Sequence, residues 1–232
     1  IQAIRTGKGM NGQLFQLTFM CDPVAAEGTL MRREWWRRYS VMPEVERVSH
    51  SWDLSTGRSE LGDYSAYQSW GTTENGFYLI DAGRWRLGGE AVERKMSLLY
   101  EQSKPRAQHI LVEDAGNSIP VIQSLQAHTK LPLMPVKPGR RDKVARLQGV
   151  VGLIEAGRVW LPGEAPWLQD FLDETATFPG GRYDDQIDSL SQALEWLEGQ
   201  TGDKFFTVST YGSTKRRGLL EELGISGRIR NY

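Results

Sequence analysis

The hydrophobic period of this chain changes once, near residue 88, and that change constrains the fold more than any other feature. Upstream, "VSHSWDLS" (48–55), "YSAYQSWG" (64–71) and "GFYLIDAGRWRL" (76–87) are β-branched or aromatic runs parted by Gly, Asn, Asp and Ser. That pattern predicts three consecutive antiparallel strands, with "TGRSELGD" (56–63) as a loop between the first two. Downstream, Ala91, Val92, Met96, Leu99 and Tyr100 recur at helical spacing and stop before Pro105. "HILVED" (109–114) then reads as a buried strand, 119–128 as a helix starting near Pro120, and "LPLMPVKP" (131–138) as a short strand. After "GRRD" (139–142), Val144, Leu147, Val150, Val151 and Ile154 mark a helix up to Gly157, followed by a short strand (158–162) and helices at 165–176 and 184–198. Such an order predicts an α/β fold, a mixed central sheet with helices packed on it.

Composition narrows the function classes. The 232 residues suffice for one sizeable domain with appendages. Lys and Arg number 28 against 29 Asp and Glu, a net charge of −1, so a nucleic-acid signal must come from local clusters. The single cysteine, Cys21, excludes an internal disulfide framework and a cysteine-built zinc site. No apolar run is long enough for a membrane span and no signal-peptide pattern opens the chain, so a soluble intracellular protein is expected. A start at Ile1 leads us to expect further sequence upstream. Residues 1–47, with the basic-aromatic "REWWRRY" (33–39), read as a connector with a short helix. The tail 199–232 is Gly- and Thr-rich, and we assign it no function.

Acidic residues gather at the ends of three predicted elements. Strand alternation puts Ser51 and Asp53 on the face opposite Trp52 and Leu54. Glu113 and Asp114 close the aliphatic strand, at the carboxyl edge where open α/β sheets bind ligands. The last helix begins with Asp184, Asp185 and Asp188. At about 100° per residue, its stripe is Ile187, Leu190, Leu194 and Leu197, and the three acids fan outward from the stripe's margin. Two readings stand. Acids in a first turn suit the helix dipole and cap free amides. Carboxylates from a central strand, a neighbouring strand's end and a packed helix could instead share a pair of Mg²⁺ or Mn²⁺ ions for phosphodiester cleavage. His50, His109 and His128 lack a nucleophilic partner and read as packing or surface residues. No phosphate loop occurs in the chain, so ATP hydrolysis by this segment alone is not expected.

Six stretches carry a resemblance: "FMCDPVAAEGTLMRREWWRRY" (19–39), "SWDLSTGRSELGDYSAYQSWG" (51–71), "GFYLIDAGRWRL" (76–87), "ILVEDAGNS" (110–118), "KVARLQGVVGLIEAGRVWLP" (143–162) and "FPGGRYDDQIDSLSQAL" (178–194). In order, they resemble the C-terminal half of tailed-bacteriophage terminase large subunits. The resemblance implies a ribonuclease-H-like nuclease domain at 48–198, with helices on both faces of the sheet, preceded by the end of an ATPase region (1–47) and followed by a tail (199–232). It implies two Mg²⁺ or Mn²⁺ ions held by Asp53, by Glu113 or Asp114, and by Asp185 or Asp184, with Asp188 supporting and Asp63 facing the metals in some relatives. Implied partners are double-stranded DNA, the terminase small subunit, the portal protein and the ATPase domain of the same polypeptide, in the host cytoplasm and away from membranes. Lys137, Arg140, Arg141, Lys143 and Arg146 would grip DNA phosphates without reading bases. Trp35 and Trp36 are expected to pack against the ATPase region. Two alternatives remain: a DNA-guiding, procapsid-docking module with weak cleavage, and a resolvase-like recombination nuclease.

Overall fold

A computed structural model describes residues 30–55, 64–116 and 118–201. Asp63, the loop 56–63, Cys21 and the tail from 202 lie outside the described residues. The described residues up to Glu195 and the described residues 196–201 fall into two units.

The elements are a 3₁₀ turn (Arg33–Trp35), β1 (Arg37–Tyr39), β2 (Arg47–Asp53), β3 (Ser65–Thr73), β4 (Gly76–Trp85), α1 (Gly89–Gln102), β5 (His109–Glu113), α2 (Ser118–His128), β6 (Leu133–Val136), α3 (Lys143–Glu155), β7 (Val159–Pro162), α4 (Leu168–Thr177) and α5 (Asp185–Gln200). From β2 onward this is the predicted order. The strands make one mixed seven-stranded sheet in the order β1-β7-β4-β3-β2-β5-β6. β2, β3 and β4 pair antiparallel, while β5 joins β2, β6 joins β5, and β7 joins both β4 and β1 in parallel. Gly76 makes the β3–β4 turn possible: its φ is +148°, and a Cβ there would stand 2.1 Å from the Arg158 carbonyl, which accepts from the Phe77 amide.

β1 was not expected. It comes from the stretch read as connector, and its three residues show no alternation; the pairing is supplied by β7, more than a hundred positions away, with Arg37 opposite Trp160 and Tyr39 opposite Pro162. Trp36 beside it is 5% exposed and meets Phe171 of α4 edge-on at 5.7 Å. Its packing partner is thus within this sheet's own covering helices, which corrects the expectation that Trp36 waits for another domain.

Helices cover both faces. On one, Trp52, Tyr67, Ile110 and Val112 pack against Val92 and Met96 of α1 and Val121, Ile122 and Leu125 of α2. His50 shares that face, fully buried with its ring edge-on to Tyr67. On the opposite face the sheet presents Ser51 and its register partners Gln68 and Leu111. Here lies α5, and the contact is a set of hydrogen bonds. Ser51 Oγ donates to the Ser189 carbonyl (2.9 Å), Ser189 Oγ donates to the Ser51 carbonyl (3.1 Å), and Gln192 Nε2 donates to Ser51 Oγ (2.9 Å) and to the Trp52 carbonyl (3.2 Å). Gln68 Nε2 adds a bond to the Gln186 carbonyl at 2.7 Å.

The outward fan of acids expected for α5 is therefore corrected. Every residue from Asp185 to Leu194 is buried, Asp185 at 8% and Asp188 at 6% exposure. A one-sided stripe describes a helix with one wet face. This helix has none over its first ten residues: its polar groups find partners on the strands beneath it and on α3 and α4.

Candidate metal centre

The carboxylates meet through strand register. Trp52 of β2 stands opposite Val112 of β5 in a parallel pair, so the next residues, Asp53 and Glu113, end both strands at one edge. The bonds from Ser189 and Gln192 to β2 set the start of α5 over the same edge. The Asp53 carboxyl is pushed up to about 8, first by burial and then by the negative charges of Asp188, Asp185 and Glu113, with Lys143 opposing. Four of the predicted acids therefore share one electrostatic neighbourhood. Of the alternatives left open at β5, Glu113 is the one brought in; Asp114, one residue on, starts the turn and donates its amide to the Val136 carbonyl at 2.8 Å.

Two cations from α3 sit among them. Arg146 donates to Glu113 (3.1 Å) and to Asp188 (2.6 Å), and Lys143 reaches Asp188 (2.7 Å) and Asp184 (2.9 Å). Asp188 is raised above the usual carboxylate range because burial outweighs both cations. Lys143 is raised as well: burial works against its charge, but the bonds to Asp188 and Asp184 more than offset it. Sequence had placed Lys143 and Arg146 on a DNA-gripping surface with Lys137, Arg140 and Arg141. The structure divides that set. Lys137 and Arg140 are exposed, Arg141 is ion-paired with Glu195, and the last two turn inward to the acids.

Asp184 and Asp188 each present one oxygen to Lys143, and the second oxygen of Asp188 accepts from Arg146. A side-chain cap is present at α3: the Asp142 carboxylate accepts from the Ala145 amide at 2.8 Å. Asp142→Ala is expected to cost about 1 kcal/mol in urea unfolding, the usual worth of such a cap.

A second group, missed by sequence, fixes the start of α5. Glu174 of α4 accepts from the Gln186 amide, from Gln186 Nε2 and from Arg84, each at 2.7 Å. Arg84 also lies over the rings of Tyr64 and Tyr183, at 5.0 and 5.1 Å. A signal existed. Glu174 falls three residues after Phe171, on the buried stripe of α4, where an acid is out of place unless partnered.

In kind, the donors fit a hard divalent cation: all are carboxylate oxygens, and burial among like charges favours adding positive charge. In spacing, among the described residues no group of three or more His, Cys, Asp or Glu side chains is drawn together tightly enough to hold a metal ion. Lys143 bridges Asp184 and Asp188, and Arg146 bridges Glu113 and Asp188.

Comparisons with known proteins agree with this architecture. The chain matches solved terminase structures. The large terminase of a thermophilic bacteriophage shares 14% identity and a TM-score of 0.55, covering 83% of this chain and 51% of its own, so the chain spans about half that protein's length. The large terminase nuclease of thermophilic phage G20c, solved with bound magnesium, shares 15% identity and a TM-score of 0.53, over 73% of this chain and 98% of its own. The same G20c nuclease with bound cobalt gives 14% and 0.53 over the same shares. A comparison with curated protein sequences found no match. The terminase RNaseH-like domain matches residues 50–197, from the second strand through the helix that carries the aspartates. With most of its length inside that match, the chain belongs to the family of terminase RNaseH-like domains.

Proposed function

We propose that residues 48–198 are the metal-dependent endonuclease domain of a viral DNA-packaging terminase, cutting concatemeric double-stranded DNA with two Mg²⁺ or Mn²⁺ ions. The observation that carries this reading is the meeting of Asp53, Glu113, Asp185 and Asp188 at one sheet edge. Asp53, Glu113 and Asp185 would hold the ions, with Asp188 in support. Asp184 and Asp114 stand at the rim, and Asp63 remains a candidate outside the described residues. Bound there, divalent ions supply water activation and charge neutralisation at the leaving oxygen. The chain's own part is to hold the carboxylates fixed through the hydrogen bonds under α5 and to keep α3 within reach of a phosphate. Lys137 and Arg140 lie exposed for backbone contact without base reading.

On this reading residues 1–47 lead from an ATPase domain of the same polypeptide, and the small subunit and portal protein are further partners in the host cytoplasm. Among the described residues no helix is long and apolar enough to cross a membrane. One observation favours the alternative of a DNA-guiding module with weak cleavage: Lys143 and Arg146 already hold Glu113, Asp184 and Asp188.

Plasmid nicking separates the two. Cleavage is expected in Mn²⁺ or Mg²⁺ and not in EDTA, Glu113→Gln slowing it about a hundredfold and Asp114→Asn less than about threefold. Equal rates in EDTA and Mn²⁺, or no cleavage in any divalent ion, would defeat the nuclease reading.

A further inference from the structure

We propose that Lys143 and Arg146 are exchangeable counter-cations: they hold the carboxylates of the metal-free centre, and turn to DNA phosphates when divalent ions take those oxygens. The inference rests on the nuclease reading above and goes beyond it by giving the inner pair a role distinct from the outer basic residues.

Three features of the pair point this way. First, the placement is wrong for the helix itself. Lys143 and Arg146 lie one turn apart in the first turn of α3, where the dipole disfavours positive charge. Their compensation comes from Glu113, Asp184 and Asp188 instead. Second, neither is buried for good. The Lys143 side chain is 46% exposed, so its ammonium can swing to solvent without crossing protein. Arg146 is more enclosed, yet its Nε is a buried donor with no hydrogen-bond partner, so its present seat does not satisfy it fully. Third, the acids outnumber the cations, so divalent ions would leave Lys143 and Arg146 in excess once every carboxylate has ionised. As formal charges, Asp53, Glu113, Asp184, Asp185 and Asp188 outweigh Lys143 and Arg146 by three. Two divalent ions convert that deficit into a single positive charge, and one phosphodiester cancels it. A guanidinium fork suits phosphate as well as carboxylate, so Arg146 can change partner with no change in chemistry.

The test uses the 232-residue chain, with Mn²⁺ titrated calorimetrically and a short duplex followed by anisotropy in EDTA and in Ca²⁺. In the parent, Mn²⁺ should bind and Ca²⁺ should strengthen duplex binding. In Lys143→Gln/Arg146→Gln, Mn²⁺ should bind about tenfold more tightly, as expected when like charges a few ångströms away are removed. The same variant should lose about tenfold in duplex affinity in Ca²⁺ and less in EDTA, where the two cations face carboxylates rather than phosphates. Lys143→Arg should behave as the parent in both, while Lys137→Gln/Arg140→Gln should lose affinity alike in EDTA and Ca²⁺. Variants are compared only after a cooperative melt; should the double variant fail it, Lys143→Gln alone carries the comparison, with the same directions and smaller changes. Unchanged or weaker Mn²⁺ binding in a folded variant, or equal duplex losses in both media, overturns the exchange. Failure of the parent itself to bind Mn²⁺ overturns the nuclease reading instead.

Discussion

Asp53→Asn is expected to lower metal-dependent DNA cleavage at least about a thousandfold while making the metal-free fold more stable above neutral pH. The first effect follows from removing a carboxylate that the proposed ions would need, a loss of several kcal/mol of charge stabilisation. The second follows from the carboxyl's pKa. An aspartate in an unfolded chain titrates near 4, and in the fold Asp53 is pushed up to about 8 by burial and by Asp188, Asp185 and Glu113. Between those values the native state keeps a proton that the unfolded state has released. Stability must therefore fall as pH rises from about 4 to about 8, and the penalty is complete above 8. Asn cannot ionise and escapes it. Urea unfolding in EDTA should show parent and variant nearly equal at pH 4 and the variant ahead by up to about 5 kcal/mol at pH 9, about four pH units at about 1.4 kcal/mol each. A variant that is inactive but no more stable at pH 9 would mean that Asp53 is not surrounded by charge in solution.

Glu174→Ala should produce the largest loss of stability among polar substitutions, about 3 kcal/mol in urea unfolding. The Glu174 side chain is 2% exposed and is raised by burial, against which Gln186 and Arg84 work. Alanine leaves the Gln186 amide and the Arg84 guanidinium facing a void, and an unpaired buried donor costs more than the bond was worth. Glu174→Gln keeps the shape and one acceptor, and should lose about half as much. Because Gln186 follows Asp185 and precedes Asp188, the same variants should weaken Mn²⁺ binding in proportion to their loss of stability. If Glu174→Ala unfolds like the parent, the contact with Gln186 is not holding α5.

Much of this was legible in the residues. The strand runs at 48–87 and the helical spacings after 90 gave the order of elements because alternation and the 3.6 period report local burial directly. Asp53 was legible as the residue on the face away from Trp52, and Glu113 as one of two at a strand's end. Three things were not. β1 depends on a partner strand more than a hundred positions away, so "RRY" carries no local sign of it. The burial of α5 depends on Ser51 and Gln68 being beneath it, and no helical wheel contains the neighbour. For Lys143 and Arg146, a basic residue at a helix start looks the same whether phosphate or carboxylate faces it, and only tertiary placement distinguishes them. Stripe positions misled once more in α3, where Leu153 is buried and Val151 is only partly so.

The hydrogen bonds between α5 and β2 have a mechanical consequence. Two greasy surfaces tolerate small slips, since one methyl group fills a gap about as well as the next. Ser51, Ser189 and Gln192 allow no such latitude, because a displacement of one residue, about 1.5 Å along the axis and 100° around it, would strand every donor and acceptor at once. The helix is indexed to the strand like a key in a slot, and the spacing between Asp53 and the acids above it is thereby set by the main chain rather than by the charges themselves.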